Sequence, residues 1–73
     1  MDEQELALRF NFHPATEATA PRHHNVREIC LAAAQKIVAE TPPCREQSLA
    51  ITALEEAMMW ANAAIARRDV QLG

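Results

Sequence analysis

The sequence has few of the residues from which loops and metal sites are built. Glycine occurs once, at the last position, so no glycine-rich loop is available to hold a phosphate. Cysteine occurs only as Cys30 and Cys44, and His23 and His24 are adjacent, so the chain lacks the paired spacings that a zinc site uses. We therefore expect free thiols, no metal and no cofactor.

Long apolar runs and positive charges are also scarce. No run approaches the ~20 apolar residues of a membrane helix, which argues against a membrane protein. Seven Lys and Arg face ten Asp and Glu, for a net charge of −3. This balance disfavours DNA and long RNA, whose many phosphates must be neutralised. The acidic residues 2–5 are unlike the start of a signal peptide, so we expect a cytoplasmic protein with reduced thiols.

What the sequence does have is the apolar spacing of long helices, with no strand pattern. We predict an all-α chain in one domain, with a short N-terminal helix at about 2–9 and a long antiparallel αα-hairpin at about 17–40 and 44–68. The break between the long helices is the TPPC stretch at 41–44. Its prolines end one helix, and its short length makes the two helices antiparallel neighbours.

The segment before the second helix contains turn and capping residues. Pro14 disfavours the helical conformation for His13, so residues 10–14 are predicted to be extended and to present two aromatic rings. Thr16 or Thr19 is then expected to cap the second helix.

The third helix carries two apolar stripes, which is more than one neighbouring helix can cover. One stripe consists of Leu54, Ala57, Met58, Ala61, Ala64 and Ile65, and the other of Leu49, Ala53, Trp60 and Ala63. A chain of this size has a marginal core. We therefore expect the second helix to cover one stripe and further copies of the chain to cover the other, which gives a homo-oligomeric helical bundle.

The sequence gives little support for catalysis. Glu55 and Glu56 are adjacent, so their carboxylates face different directions and do not form an acid–base pair. No Ser/His/Asp arrangement can be identified. We expect a protein that is not an enzyme.

A few polar and aromatic residues have two possible roles. Asn62 lies among apolar residues, where it either sets helix register or contacts a ligand. Arg67 and Arg68 either stabilise the end of the third helix or bind phosphate. Phe12 either joins the core or, beside His13, stacks on a nucleobase.

These residues belong to a pattern that resembles a known family. The run FNFHP at 10–14, an Arg in the first turns of the second helix, REQSLA at 45–50 and LEEAMMWANAAIAR at 54–67 are similar to the hairpin domain shared by phage anti-CBASS and anti-Thoeris sponge proteins. The WANAAIAR part is the most specific. The short length and the absence of strand patterns favour the anti-CBASS sponge.

The resemblance implies a homohexamer that sequesters cyclic oligonucleotides without cleaving them and so blocks CBASS immunity in the cytoplasm of the infected bacterium. It implies sites for cyclic dinucleotides such as cyclic GMP-AMP between paired protomers, and in some members separate sites for cyclic trinucleotides. The ligand-binding residues that it implies are Phe12, His13, Pro14, Arg22, Arg27, Asn62 and Arg67. Phe12 replaces the Tyr of many members and so lacks a hydroxyl contact. The alternative is a structural or protein-interaction bundle without a nucleotide ligand.

Overall fold

The computed structural model describes the backbone of residues 1–72 and the side chains of residues 1–68. It contains three helices and, within that backbone, no strand. Helix α1 spans Glu3–Phe10, α2 spans Ala20–Glu40 and α3 spans Arg45–Leu72. The prediction of an all-α chain with a short helix before a long hairpin is confirmed.

Helix α1 has defined hydrogen bonds at both ends. The side chain of Asp2 accepts a hydrogen bond from the Glu5 amide at 2.8 Å, which satisfies one of the free donors of the first turn. Glu3 and Glu5 add negative charge at the positive end of the helix dipole. Asn11 ends the helix in an extended conformation. The chain then runs without regular structure toward α2.

Helix α2 begins at Ala20 rather than at the predicted position 17. The reason is Pro21, which has no N–H to donate to the carbonyl oxygen of residue 17 and so interrupts the helical hydrogen bonds there. Just before the helix, the Thr16 amide donates to Thr19 Oγ1 at 2.8 Å, and the Thr19 amide donates to Thr16 Oγ1 at 3.1 Å. This is the bonding pattern of a capping box, with Thr19 in the place of the usual Glu or Gln. The Ala20 amide also donates to the carbonyl oxygen of Thr16 at 2.9 Å, so Thr16 caps a turn that leads into α2. Thr19 makes no side-chain cap on α2 itself.

Helices α2 and α3 pack against each other as the antiparallel hairpin. The connection is held by Gln47, whose side-chain amide donates to the carbonyl oxygen and to Oγ1 of Thr41 at 3.1 and 3.0 Å. At the other end of the hairpin, His23 of α2 meets Asn62 of α3. The helical backbone of α3 continues to Leu72, beyond the predicted position 68, because no glycine or proline interrupts the chain there.

The hairpin has very little interior. Among the described side chains only Ile65 and Thr19 are buried. Accessible surface amounts to 5819 Å², against about 4,500 Å² for a folded monomer of this mass. The Cα radius of gyration is 15.3 Å, against about 11 Å for a compact chain of this length. One chain alone is therefore more extended and more exposed than a typical small domain.

The two predicted stripes of α3 differ in burial. In the first stripe Leu54, Met58 and Ala61 are half-buried, while Ala57 and Ala64 are exposed. The second stripe is mostly uncovered by this chain: its members Leu49, Ala53 and Trp60 are exposed, and Ala63 is half-buried.

The structure also describes the two thiols, the residue types that can ligate a metal and the apolar character of the helices. Cys30 and Cys44 are free thiols. In the part of the chain that the structure describes, no His, Cys, Asp and Glu residues come together as a group that could hold a metal ion. None of the three helices, as far as it is described, has the length and apolar character needed to cross a membrane.

Candidate ligand-binding cleft

A cleft of about 510 Å³ opens where the segment after α1 meets the two long helices. This volume lies within the range of small-molecule sites. We call it the basic cleft, and its lining consists of Arg9, Asn11, Phe12, His13, His23, Met58, Met59, Asn62, Ala63, Ala66 and Arg67. All three helical regions of the chain therefore contribute to it.

The charged residues among the described lining of the basic cleft are of one sign. Arg9 and Arg67 line it together with two histidines, and no carboxylate of residues 1–68 is among its lining residues. Arg67 donates from Nη2 to the carbonyl oxygen of Arg9 at 3.3 Å. No carboxylate of the described residues lies within ion-pair distance of Arg67. In a chain of net charge −3, this is a local concentration of positive charge that attracts anions.

Arg9 is held in place by a carboxylate outside the cleft. Its Nε donates to Glu5 Oε1 at 3.1 Å. Glu5 also binds Arg68: its Oε2 accepts a hydrogen bond from Nη1 of Arg68 at 2.9 Å, and its Oε1 accepts one from Nη2. Hydrogen bonds from Arg68 first and from Arg9 second lower the pKa of Glu5 from its ordinary 4.5 to about 2. The same contact raises the pKa of Arg68.

Asn62 and His23 form the hydrogen bond that joins α2 to α3 beside the cleft. Nδ1 of the His23 ring donates to Oδ1 of Asn62 at 2.9 Å, and both side chains are half-buried. The amide nitrogen of Asn62 makes no hydrogen bond to the described residues, and Asn62 lines the cleft. Asn62 therefore joins the two helices and also offers donors to the cleft.

Phe12 is presented by a short anchored loop. Nε2 of His13 donates to the carbonyl oxygen of Leu8 at 2.7 Å, which ties the segment after α1 back onto that helix. Phe12 is 87% exposed, so the described chain leaves its ring faces uncovered. An exposed aromatic ring beside guanidinium groups can stack on a base.

The structure brings together four of the residues that the resemblance implied. Phe12, His13, Asn62 and Arg67 all line the basic cleft.

Pro14, Arg22 and Arg27 do not line the basic cleft. Arg27 instead lines a separate groove of about 200 Å³ between α2 and α3, with Glu55 on its other wall. Arg22 is exposed in the first turn of α2, and Pro14 is exposed after His13. The groove that Arg27 lines adjoins the basic cleft at Met58, which lines both.

Sequence reasoning missed Arg9 and His23 as cleft residues. Arg9 follows Glu5 at helical spacing, which predicts their ion pair, but that spacing carries no information about the cleft. His23 reaches the cleft through a partner, Asn62, that is distant in the sequence. No local signal could have identified either residue.

A second cleft, of about 470 Å³, shares Arg9, Ala63 and Arg67 with the basic cleft. Its other lining residues are Phe10, Trp60, Ala64 and Arg68. The Trp60 indole donates to Glu56 at 3.3 Å along the exposed side of α3.

Comparison with known families and structures relates this geometry to other proteins. The family model described as Acb2/Tad1, hairpin domain, matches residues 2–66 of the chain. The match contains α1, α2 and most of α3, and it includes every cleft residue up to Ala66. No curated protein and no solved structure matches the chain.

Proposed function

Because the chain belongs to the Acb2/Tad1 hairpin-domain family, the family of anti-CBASS and anti-Thoeris sponges, we propose that it binds and sequesters cyclic oligonucleotide messengers. The proposed ligands are cyclic dinucleotides such as cyclic GMP-AMP, with cyclic trinucleotides as a second class. Sequestration would lower the free messenger in the cytoplasm of the infected bacterium and so block CBASS immunity.

The observation that carries this proposal is the combination of groups in the basic cleft. Arg9 and Arg67 are suited to phosphate oxygens, because a guanidinium offers several N–H donors in one plane. Phe12 provides an exposed ring on which a base can stack. The free amide donors of Asn62 are suited to an acceptor on a base edge or a phosphate. A cyclic nucleotide has all of these partner groups.

We propose binding without cleavage. Among the residues whose side chains are described, the lining of the basic cleft contains no carboxylate, serine or cysteine that could act as base or nucleophile. Its two histidines each use one ring nitrogen in a hydrogen bond within the chain, to Leu8 and to Asn62. These hydrogen bonds fix the orientation of both rings in the cleft.

We also propose that the protein works as a homo-oligomer. The chain exposes about 1,300 Å² more surface than a compact monomer of its mass, which is more than one partner contributes to a typical stable interface. Met59 and Trp60 are each 63% exposed, so α3 offers apolar area to a second copy. The hexameric stoichiometry rests on the family resemblance.

Calorimetry and mass determination test the proposal. Titration of the protein with cyclic GMP-AMP and a panel of cyclic di- and trinucleotides should give saturable heat with at least one of them. Heating the complex and analysing the released nucleotide by mass spectrometry should recover it intact, whereas a linear product would mean an enzyme. Light scattering on the eluting protein should give the mass of six chains. An oligomer that gives no heat with any nucleotide would leave the structural or protein-interaction bundle.

A further inference from the structure

Helix α1 contributes much of the basic cleft but is weakly packed on the hairpin. The end of α1 and the segment after it supply four cleft residues: Arg9, Asn11, Phe12 and His13. No residue of α1 is buried. Extensive packing between described helices occurs only between α2 and α3. The cleft therefore exists only while α1 lies against the hairpin.

Polar contacts at one end of α3 hold α1 in that position. Glu5 of α1 accepts hydrogen bonds from both terminal nitrogens of Arg68. Arg67 donates to the carbonyl oxygen of Arg9 at 3.3 Å. Glu5 also holds the Arg9 guanidinium, so one carboxylate connects α3 to the side chain that lines the cleft.

We propose that Glu5 and Arg68 form a clasp that positions α1, and with it Arg9 and Phe12, for ligand binding. Neither Glu5 nor Arg68 lines the basic cleft, so both are positioning residues. A ligand that contacts Arg9 and Phe12 on one side and Asn62 and Arg67 on the other binds only the clasped form. Its apparent affinity therefore falls in proportion to the clasped fraction. This inference rests on the proposed function.

A simple charge argument predicts the opposite effect of removing Glu5. Replacing Glu5 by Gln makes the surroundings of the cleft more positive, and long-range attraction alone would then tighten the binding of an anion. The clasp predicts weaker binding, because Gln lacks the charge and the second acceptor oxygen with which Glu5 holds Arg68 and Arg9. The sign of the change in affinity separates the two explanations.

The test compares Glu5→Gln with Glu3→Gln in the full-length protein. Both residues lie in the first turn of α1, so the two variants change charge and helix-dipole interaction alike, but only Glu5 contacts Arg68. Calorimetry with cyclic GMP-AMP should show affinity about 5-fold lower for Glu5→Gln and near wild type for Glu3→Gln. Arg68→Gln should resemble Glu5→Gln, and Arg68→Lys should recover part of the loss because it keeps the charge.

Hydrogen exchange on the ligand-free protein tests the clasp independently of nucleotide binding. Amides of residues 6–10 should exchange faster in Glu5→Gln than in the wild type and in Glu3→Gln, while those of α2 and α3 should not change. Unchanged exchange in α1, or equal or tighter nucleotide binding by Glu5→Gln, would overturn the clasp. If the wild type binds no cyclic nucleotide, the proposed function fails, and the exchange experiment still decides whether the clasp holds α1.

Discussion

His23 and Asn62 share a hydrogen bond of 2.9 Å that connects α2 to α3 at the wall of the basic cleft. The bond orients the Asn62 amide, because its oxygen is engaged by the ring and its nitrogen is left for other partners. The two roles predicted for Asn62, register and ligand contact, are therefore compatible in one side chain. The ligand contact itself stays a prediction.

Replacing His23 tests the first of these roles. His23→Ala should lower the free energy of unfolding by about 1 kcal/mol, the typical net contribution of one intramolecular hydrogen bond. Denaturant titration at a fixed chain concentration would measure it, since oligomer stability depends on concentration. His24→Ala is the matched control, because the His24 ring pairs with Glu28 on the exposed side of α2. Equal losses in both variants would contradict the assigned role of the His23–Asn62 bond.

Phe12 should carry a base-stacking contact. Phe12→Ala is expected to weaken binding of a cyclic dinucleotide by about 1–3 kcal/mol, the range for one base–aromatic stack, and calorimetry would measure it. Phe12→Leu serves as a control that keeps an apolar side chain without the π face, and Phe12→Tyr restores the hydroxyl of many family members. Unchanged affinity in Phe12→Ala would place the base elsewhere.

The roles of Arg67 and Arg27 in ligand binding can be distinguished by replacing each with Gln. We expect Arg67→Gln to weaken binding about tenfold and to reduce its salt dependence, because a charged hydrogen bond to phosphate is lost. Arg45→Gln, at the distant start of α3, controls for net charge and should bind normally. A loss of affinity in Arg27→Gln would mean that the ligand extends beyond the basic cleft to Arg27, which lines a neighbouring groove.

Trp60 should act in assembly. Trp60→Ala removes the largest exposed apolar side chain of α3, and we expect a smaller mass by light scattering together with lower thermal stability. Glu56→Ala removes the acceptor of the Trp60 indole hydrogen bond but keeps the ring, so it should retain the wild-type mass. A Trp60→Ala variant with the mass of six chains would show that the interface lies elsewhere.

Acid should weaken the contact that holds α1 on the hairpin. The pKa of Glu5 is about 2 in the folded chain against an ordinary 4.5. The ionised carboxylate therefore stabilises the position of α1 fully above about pH 4.5. That contribution disappears as the pH falls toward 2. Hydrogen exchange of the α1 amides measures the local stability of this helix. The difference in that stability between the wild type and Glu5→Gln should become smaller as the pH falls through this window. High salt should reduce the same difference at every pH, because the contact is partly exposed. A difference that did not change with pH would contradict an ionic contact.

The helices and the family were predictable because their signals are local. Asp2 caps α1, and the prolines at 42 and 43 separate α2 from α3. The resemblance to the sponge hairpin is confirmed by the match over residues 2–66. The regular part of α2 begins after the predicted start, since Pro21 has no N–H to donate to the preceding turn.

By itself the sequence determined the long apolar α3, its break from α2 and its surplus of apolar surface, because helical periodicity and proline geometry act within a few residues. Only the tertiary structure decided which polar groups meet. It paired Asn62 with His23, joined Glu5 to Arg68, brought Arg9 beside Arg67 and kept Arg27 apart. These relationships depend on how α1 lies on the hairpin and how α2 aligns with α3. Contacts between residues so far apart in the chain leave no periodic or local mark in its sequence.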